Sequence, residues 1–137
     1  MQGVEIRDLH PLGHLSFDLK DILQCLRADV VCRHWLCEAV ECSGEAAQEL
    51  EGLDLVGNTV TGEELIAIAA RTHQVIWGTF KGQLPHELQS TLTINAIDST
   101  LWEVFGEQAC LNKIHATFKD VRPARYGACL TFVDIQT

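Results

Sequence analysis

The densest group of side chains that could do chemistry lies in a short segment rich in cysteine. It contains Cys25, Cys32, His34, Cys37 and Cys42. Thiolates and imidazoles are preferred zinc ligands, but structural zinc sites usually take paired ligands about two to four residues apart. Here the cysteines are separated by six, four and four residues, and no Cys-x-x-Cys occurs. Free buried thiols are the favoured interpretation. The alternative is a metal site, for which the candidate ligands are Cys32, His34, Cys37 and Cys42.

Two other stretches resemble known motifs but lack an essential residue. His86 opens a zinc-protease pattern, but Ser90 stands where the second histidine is required. Residues 57–62 have the glycine spacing of a phosphate-binding loop, yet two glutamates follow in place of the lysine and the hydroxyl residue. Neither stretch supports a catalytic assignment.

Asp98 and Glu103 flank the link between two predicted strands. A carboxylate pair can do acid–base catalysis. The run Asp98-Ser-Thr100 is more typical of a turn whose side chains bind their own backbone. We therefore assign no catalytic residue, expect no cofactor, and favour a protein that is not an enzyme.

Charge is distributed unevenly along the chain. The 19 acidic residues exceed the 10 Lys and Arg, which gives a net charge of −9. Nucleic-acid binding is disfavoured because it depends on neutralising phosphates with Lys and Arg. No Lys or Arg lies between Arg33 and Arg71, an interval rich in glutamate. This acidic stretch predicts either a solvated surface or a binding surface for a basic protein partner.

Tryptophan adds a second binding signal, since exposed aromatic patches mark interaction sites. Core or sheet-face packing is the favoured interpretation for the tryptophans, but if Trp77 and Trp102 both point outward on the meander, they form such a patch. The predicted binding residues are Glu38, Glu41, Glu45, Glu49, Glu51, Asp54, Trp77 and Trp102.

Length and composition predict one domain over residues 1–137. The chain is 47% hydrophobic and 21% charged, as in ordinary globular proteins. No apolar run approaches the roughly 20 residues of a membrane span, and the first residues lack a signal-peptide pattern. The expected location is cytoplasmic, without membrane association.

The elements that position these residues centre on His73–Gly106. β-branched and aromatic runs broken by glycine and proline predict a three-stranded antiparallel meander there. Leu92, Ile94 and Ala96 should face the core, and the intervening Thr93 and Asn95 should face the solvent.

The remaining elements follow from periodicity and capping signals. Strands are predicted near residues 4–9, 35–40 and 130–135, and helices near 19–28, 43–50, 61–70 and 107–118. Ser16 is the expected cap of the first helix, Ser43 of the second, and Thr61 with Glu64 forms a capping box. The fold class is α+β, an antiparallel sheet built on the central meander with helices packed on one face.

Three segments, Val75–Gly82, Ile94–Val104 and Phe118–Arg122, resemble a group of small, functionally uncharacterised bacterial proteins. The resemblance covers the C-terminal half, implies a bacterial origin and transfers no active site. In general character the chain is also similar to immunity proteins that neutralise bacterial toxins. We therefore predict a non-enzymatic, acidic protein-binding module, of which an immunity-type protein is the sharpest version. The alternative is a metal-binding or small-molecule-binding protein or enzyme built on the Cys25–Cys42 cluster.

Overall fold

An antiparallel sheet organises the chain in a computed structural model that describes residues 2–56 and 59–124, without the side chains of residues 54–56. The strands are β1 (Gln2–Ile6), β2 (His34–Gly44), β3 (Val60–Thr61), β4 (Thr72–Gln83), β5 (Leu92–Ile97), β6 (Leu101–Gly106) and β7 (Val121–Pro123). The helices are α1 (Leu19–Cys25), α2 (Arg27–Val31), α3 (Ala47–Val56), α4 (Gly62–Ala70) and α5 (Gln108–Thr117).

The predicted meander is confirmed as β4, β5 and β6, which are neighbours in the sheet order β3-β2-β4-β5-β6-β1-β7. Strands β5 and β6 are joined by a turn in which Asp98 and Ser99 have φ values of 49° and 59°. The Thr100 N–H donates to the Ile97 carbonyl at 2.9 Å. Positive φ at both central residues matches the right-handed twist of the strands, so Asp98 is a turn residue, as predicted.

The hydrophobic core lies between one face of the sheet and the helices, which confirms the α+β prediction. Phe80 and Trp102 are the large aromatic residues of the meander in this core, with ring centroids 6.4 Å apart. Leu92, Ile94 and Ala96 are buried beside them, as the strand alternation predicts. The helices contribute fully buried residues that include Leu19, Ile22, Leu23, Leu65 and Ile114.

Strand β2 is longer than the predicted strand at 35–40, and the predicted helix start at Ser43 is wrong. Ser43 lies in β2 opposite Gln74 of β4, and α3 begins only at Ala47. Pairing with the 12-residue β4 holds this segment extended. Local capping propensity is weak enough for such tertiary pairing to override it.

A β-bulge interrupts the pairing of β2 with β4. Between Glu38, opposite Thr79, and Glu41, opposite Trp77, β2 has two residues where β4 has only Gly78. The first of the two, Ala39, has φ of 53°, a conformation in which the Cβ of a non-glycine residue is crowded. Bulges re-aim the side chains that follow them, and here Glu41 follows.

The capping box of α4 is confirmed. The Glu64 N–H donates to Thr61 Oγ1 at 3.1 Å, and the Thr61 N–H donates to Glu64 Oε1 at 3.3 Å. The first helix differs from its prediction because Asp18, not Ser16, is the N-cap, and the helix breaks at Leu26 into α1 and α2. None of the described helices is long and apolar enough to cross a membrane. The strand predicted at residues 130–135 lies outside the described residues.

Gly62→Ala should lower the free energy of unfolding by about 1–3 kcal/mol, the usual cost of overpacking. A Cβ at position 62 would lie 2.1 Å from the Val30 carbonyl oxygen, so α4 and the end of α2 would have to move apart. The matched control is Gly52→Ala in α3, where a Cβ meets nothing within 4 Å. That variant should gain about 0.5–1 kcal/mol from helix propensity. Urea unfolding measures both, and changes of the same sign would contradict the described contact.

Candidate functional site

Acidic residues of β2 and α3 lie along the edge of the molecule that includes the bulge. Glu38 and Glu41 are in β2, Glu45 follows it, and Glu49 and Glu51 are in the first half of α3. Asp54 is also in α3, but its side chain is not among those described. The predicted acidic stretch therefore forms two adjacent elements.

Cations from distant parts of the sequence neutralise part of this stretch. Lys81 lies 2.9 Å from Glu38, and Arg71 lies 2.7 Å from Glu49. Glu51 accepts the Cys42 N–H at 3.0 Å. The described residues place no cation within ion-pairing distance of Glu41 or Glu45, and both side chains are exposed. Unpaired negative charge thus concentrates at these two positions.

Trp77 lies directly opposite Glu41 and is 41% exposed. We call Trp77 and Glu41 together the Trp77 surface, and Glu45 lies further along, just beyond the end of β2. Tryptophan is enriched among the residues that contribute most to protein interfaces. The Trp77 surface therefore combines an aromatic group with local negative charge.

Trp77 and Trp102 do not both point outward, so the conditional aromatic patch is not formed and Trp102 is wrong as a predicted binding residue. Trp102 lies opposite Ala96 and Ala96 lies opposite Gly78, so Trp102 shares a face with Gly78. Trp77, one residue earlier, points to the opposite face because side chains alternate along a strand. Trp102 is 1% exposed and belongs to the core.

The candidate metal ligands are not brought together. Cys32 ends α2 and is exposed, His34 starts β2 and is exposed, and Cys37 is buried in the core. Cys42 lies five positions further along β2, roughly 15 Å away at the usual rise of a strand. Within the described ranges no group of three or more His, Cys, Asp or Glu could hold a metal ion.

The environment of Cys42 also disfavours metal binding, because a thiol must lose its proton to become a ligand. Burial raises the pKa of the Cys42 thiol to about 11, and the negative charges of Glu51 and Asp18 contribute. Burial likewise raises the pKa of Cys110. Both thiols are therefore held in the protonated, unreactive form.

Two buried carboxylates on the sheet face that carries Trp77 were not predicted. Glu5 of β1 lies directly opposite Glu103 of β6, and both are fully buried. Arg7 forms an ion pair with Glu5. Asn95, predicted to face solvent, is only 6% exposed and donates from Nδ2 to Glu103 Oε1 at 3.4 Å. Alternation in the sequence correctly separates these residues from the core face, but it cannot reveal that this face is also shielded from water.

A cleft of about 420 Å³ lies where α1 begins, beside the start of β4 and the β5–β6 turn. Its floor includes Val75 and Trp102. Its polar lining includes His14, Ser16, Asp18, Lys20, Asp21 and His73. The volume is within the lower part of the range of small-molecule sites.

Asp18 is the most perturbed group of the cleft. Burial raises its pKa to about 6, although the Val75 N–H, 3.2 Å from each carboxylate oxygen, acts in the opposite direction. Its backbone N–H donates to Asp21 Oδ2 at 2.8 Å. From sequence Asp18 looks like an ordinary acid in the first turn of a helix, so nothing local indicates this environment.

Catalysis is not indicated by these groups. A nucleophile needs a base within hydrogen-bond reach. The described hydrogen bonds include none from Ser16 or Ser99 to His14 or His73. The cleft therefore offers binding groups and a perturbed carboxyl group, without an assembled catalytic pair.

Asp18→Asn should change how stability depends on pH. The folded state binds the Asp18 proton more tightly than the unfolded chain, because the pKa rises from 3.8 to about 6. Stability from this group is therefore greatest at low pH and decreases as pH rises through about 6. The variant should exceed the parent in stability at about pH 7.5, with the difference vanishing near pH 4. Denaturant titrations across this range test it, with Glu45→Gln as the exposed control, and parallel profiles for Asp18→Asn and the parent would contradict it.

Alkylation should distinguish the thiols. Cys32 is exposed and accepts a hydrogen bond from Arg33 Nη1 at 3.5 Å, so it should react first among the described cysteines. Cys42 and Cys110 should react slowly near pH 8, because only the thiolate is nucleophilic and their pKa values are raised. Iodoacetamide labelling followed by peptide mass spectrometry measures each rate. Labelling of Cys42 as fast as Cys32 would show that its described burial is wrong.

Comparisons with known proteins do not extend this description. No family model matches the chain, and neither a curated protein nor a solved structure matches it. The resemblance to small bacterial proteins therefore stays a prediction, and the arguments for function rest on the geometry of the chain itself.

Proposed function

We propose that this chain is a non-enzymatic protein-binding module that engages a basic protein partner through the Trp77 surface. The observation that carries the proposal is the bulge at Ala39, after which Glu41 lies directly opposite the exposed Trp77. Glu45 extends the unpaired negative charge beyond the end of β2.

Trp77 supplies the anchoring part of such an interface. Binding energy in protein interfaces is concentrated in a few residues, among which tryptophan is strongly enriched. The backbone of Trp77 is held by the pairing of β4 with β2, opposite Glu41. An aromatic group on a paired strand is thus suited to be the centre of the contact.

The acidic residues supply attraction and orientation. A net charge of −9 accelerates encounter with a basic protein at low salt, and complementary charges fix the docked orientation. The exposed pairs Glu38–Lys81 and Glu49–Arg71 contribute about 0–1 kcal/mol each, so cations of a partner can replace Lys81 and Arg71 at little cost.

The sharpest form of the proposal is an immunity-type inhibitor that acts in the cytoplasm. A toxin that cleaves nucleic acid needs a basic substrate site, and an acidic inhibitor is complementary to such a site. The metal-binding alternative at Cys25–Cys42 has no comparable support, because the structure separates its candidate ligands.

The test is recovery of a partner, followed by measurement of its affinity for variants. Pull-down at low salt from the native host, or with the product of an adjacent gene, should recover a basic protein. Trp77→Ala should weaken its binding by at least roughly 30-fold, as for an interface hot spot. Leu88→Ala is the matched control, because Leu88 is an apolar side chain that is 99% exposed and lies in the connection between β4 and β5, beyond the end of β4.

Glu41→Gln should lower the association rate and the salt dependence of binding, with a smaller effect on dissociation. The control is Glu107→Gln, an exposed carboxylate after β6, at the end of that strand away from the Asp98 turn. Failure to recover any basic partner at low salt, or equal effects of Trp77→Ala and Leu88→Ala, would overturn the proposal.

A further inference from the structure

The Asp18 cleft lies beside β2 through the pairing of β2 with β4, on the face of the sheet that carries Trp102 and therefore opposite to Trp77. Val75 and Gln74 line the cleft, and they lie opposite Cys42 and Ser43. These two β2 residues fall between Glu41 and Glu45 in sequence. The acidic stretch and the cleft are therefore separated by the width of one strand pair.

The charges of the cleft favour a cation over an anion. Asp18 and Asp21 contribute two carboxylates and Lys20 one ammonium group, and none of the three forms an ion pair with a described residue. The Asp18 carboxylate is also partly withdrawn from water, with the Val75 N–H as its hydrogen-bond donor from the sheet. A cation in the cleft would restore the electrostatic stabilisation that this carboxylate has lost.

Apolar surface inside the cleft adds a second requirement. Val75 and Trp102 lie on its floor, while the carboxylates and His14 lie among its polar groups. A ligand that fits both must join a charged end to a short aliphatic chain. A small inorganic cation does not meet this requirement, and the described residues contain no group suited to a metal ion.

We propose that the cleft binds an ammonium or guanidinium group carried on a short aliphatic chain. Two sources share this chemistry, namely a free organic cation and a lysine or arginine side chain of a protein. Only the second source rests on the proposed function, and it requires a basic partner that contacts both faces of the sheet, because the cleft and Trp77 lie on opposite faces.

Binding should depend on pH in a defined direction. At about pH 7.5 Asp18 is ionised, and at about pH 5 it is largely protonated, which alone should weaken binding about tenfold. The other charged or titratable groups that line the cleft are His14, His73, Asp21 and Lys20, and the Cys42 thiol near Asp18 stays neutral because its pKa is raised. His73→Gln should therefore retain a pH dependence that Asp18→Asn loses.

The first experiment needs no partner. N-acetyl-lysine methylamide and N-acetyl-arginine methylamide are titrated into the chain, with N-acetyl-norleucine methylamide as the uncharged control, and the amide signals of Val75 and Ser99 are followed by NMR. We expect saturable shifts with either charged probe at pH 7.5, about tenfold weaker binding at pH 5, and a loss of at least about tenfold in Asp18→Asn. Glu107→Gln should behave as the parent. The Asp18→Asn variant is expected to be stably folded, and Asp21→Asn gives a second, independent test.

The second experiment uses the partner recovered through the Trp77 surface and separates the two sources. Weakening of that complex by Asp18→Asn, together with competition by the charged probes, assigns the cleft to a partner side chain. Probe binding without either effect assigns it to a free cation. If neither charged probe binds saturably and Asp18→Asn leaves the affinity for the partner unchanged, the inference is overturned. Weaker partner binding by Trp77→Ala would in that case still support the proposed function. Equal binding of the norleucine control also overturns it.

Discussion

Backbone pairing of β4 with β2 on one side and β5 on the other is the interaction on which the rest of the structure depends. Strand β4 spans 12 residues, and its two partners use different parts of it. The half that pairs with β5 carries Phe80 into the core, while the half that extends beyond β5 carries Trp77 and lines the cleft. One long strand thus supports the core and both candidate binding features.

The bulge in β2 is one of three register shifts in the pairing of β2 with β4. The extra residue lies in β2 at the first shift, opposite Gly78, and in β4 at the other two, and the strands remain paired as far as Thr72. A Cβ at position 78 would lie 3.1 Å from the Phe80 ring and 3.3 Å from Val40, so the small residue relieves crowding at the bulge. The same irregularity aligns Glu41 with Trp77, which links a local backbone feature to the proposed binding surface.

Electrostatics in this chain depends on distance in space, not on charge runs in the sequence. The long interval without Lys or Arg predicted either a solvated surface or a binding surface for a basic partner, and Lys81 and Arg71 neutralise Glu38 and Glu49 from other elements. Negative charge instead persists at Glu41 and Glu45 and in the cleft. Partial burial makes the cleft carboxylate of Asp18 harder to ionise, whereas exposure leaves the surface glutamates well solvated.

The sequence by itself determined the meander, the Thr61–Glu64 capping box and α5, because these follow from periodicity and capping between residues close along the chain. Only the tertiary structure decided the extension of β2, the burial of Trp102 and Asn95, and the dispersal of the cysteines. The environment of Asp18 belongs to the second group, since Val75 is 57 residues away in sequence. Burial and ion pairing are properties of neighbours in space, and a pattern in one segment does not specify which distant residues those neighbours will be.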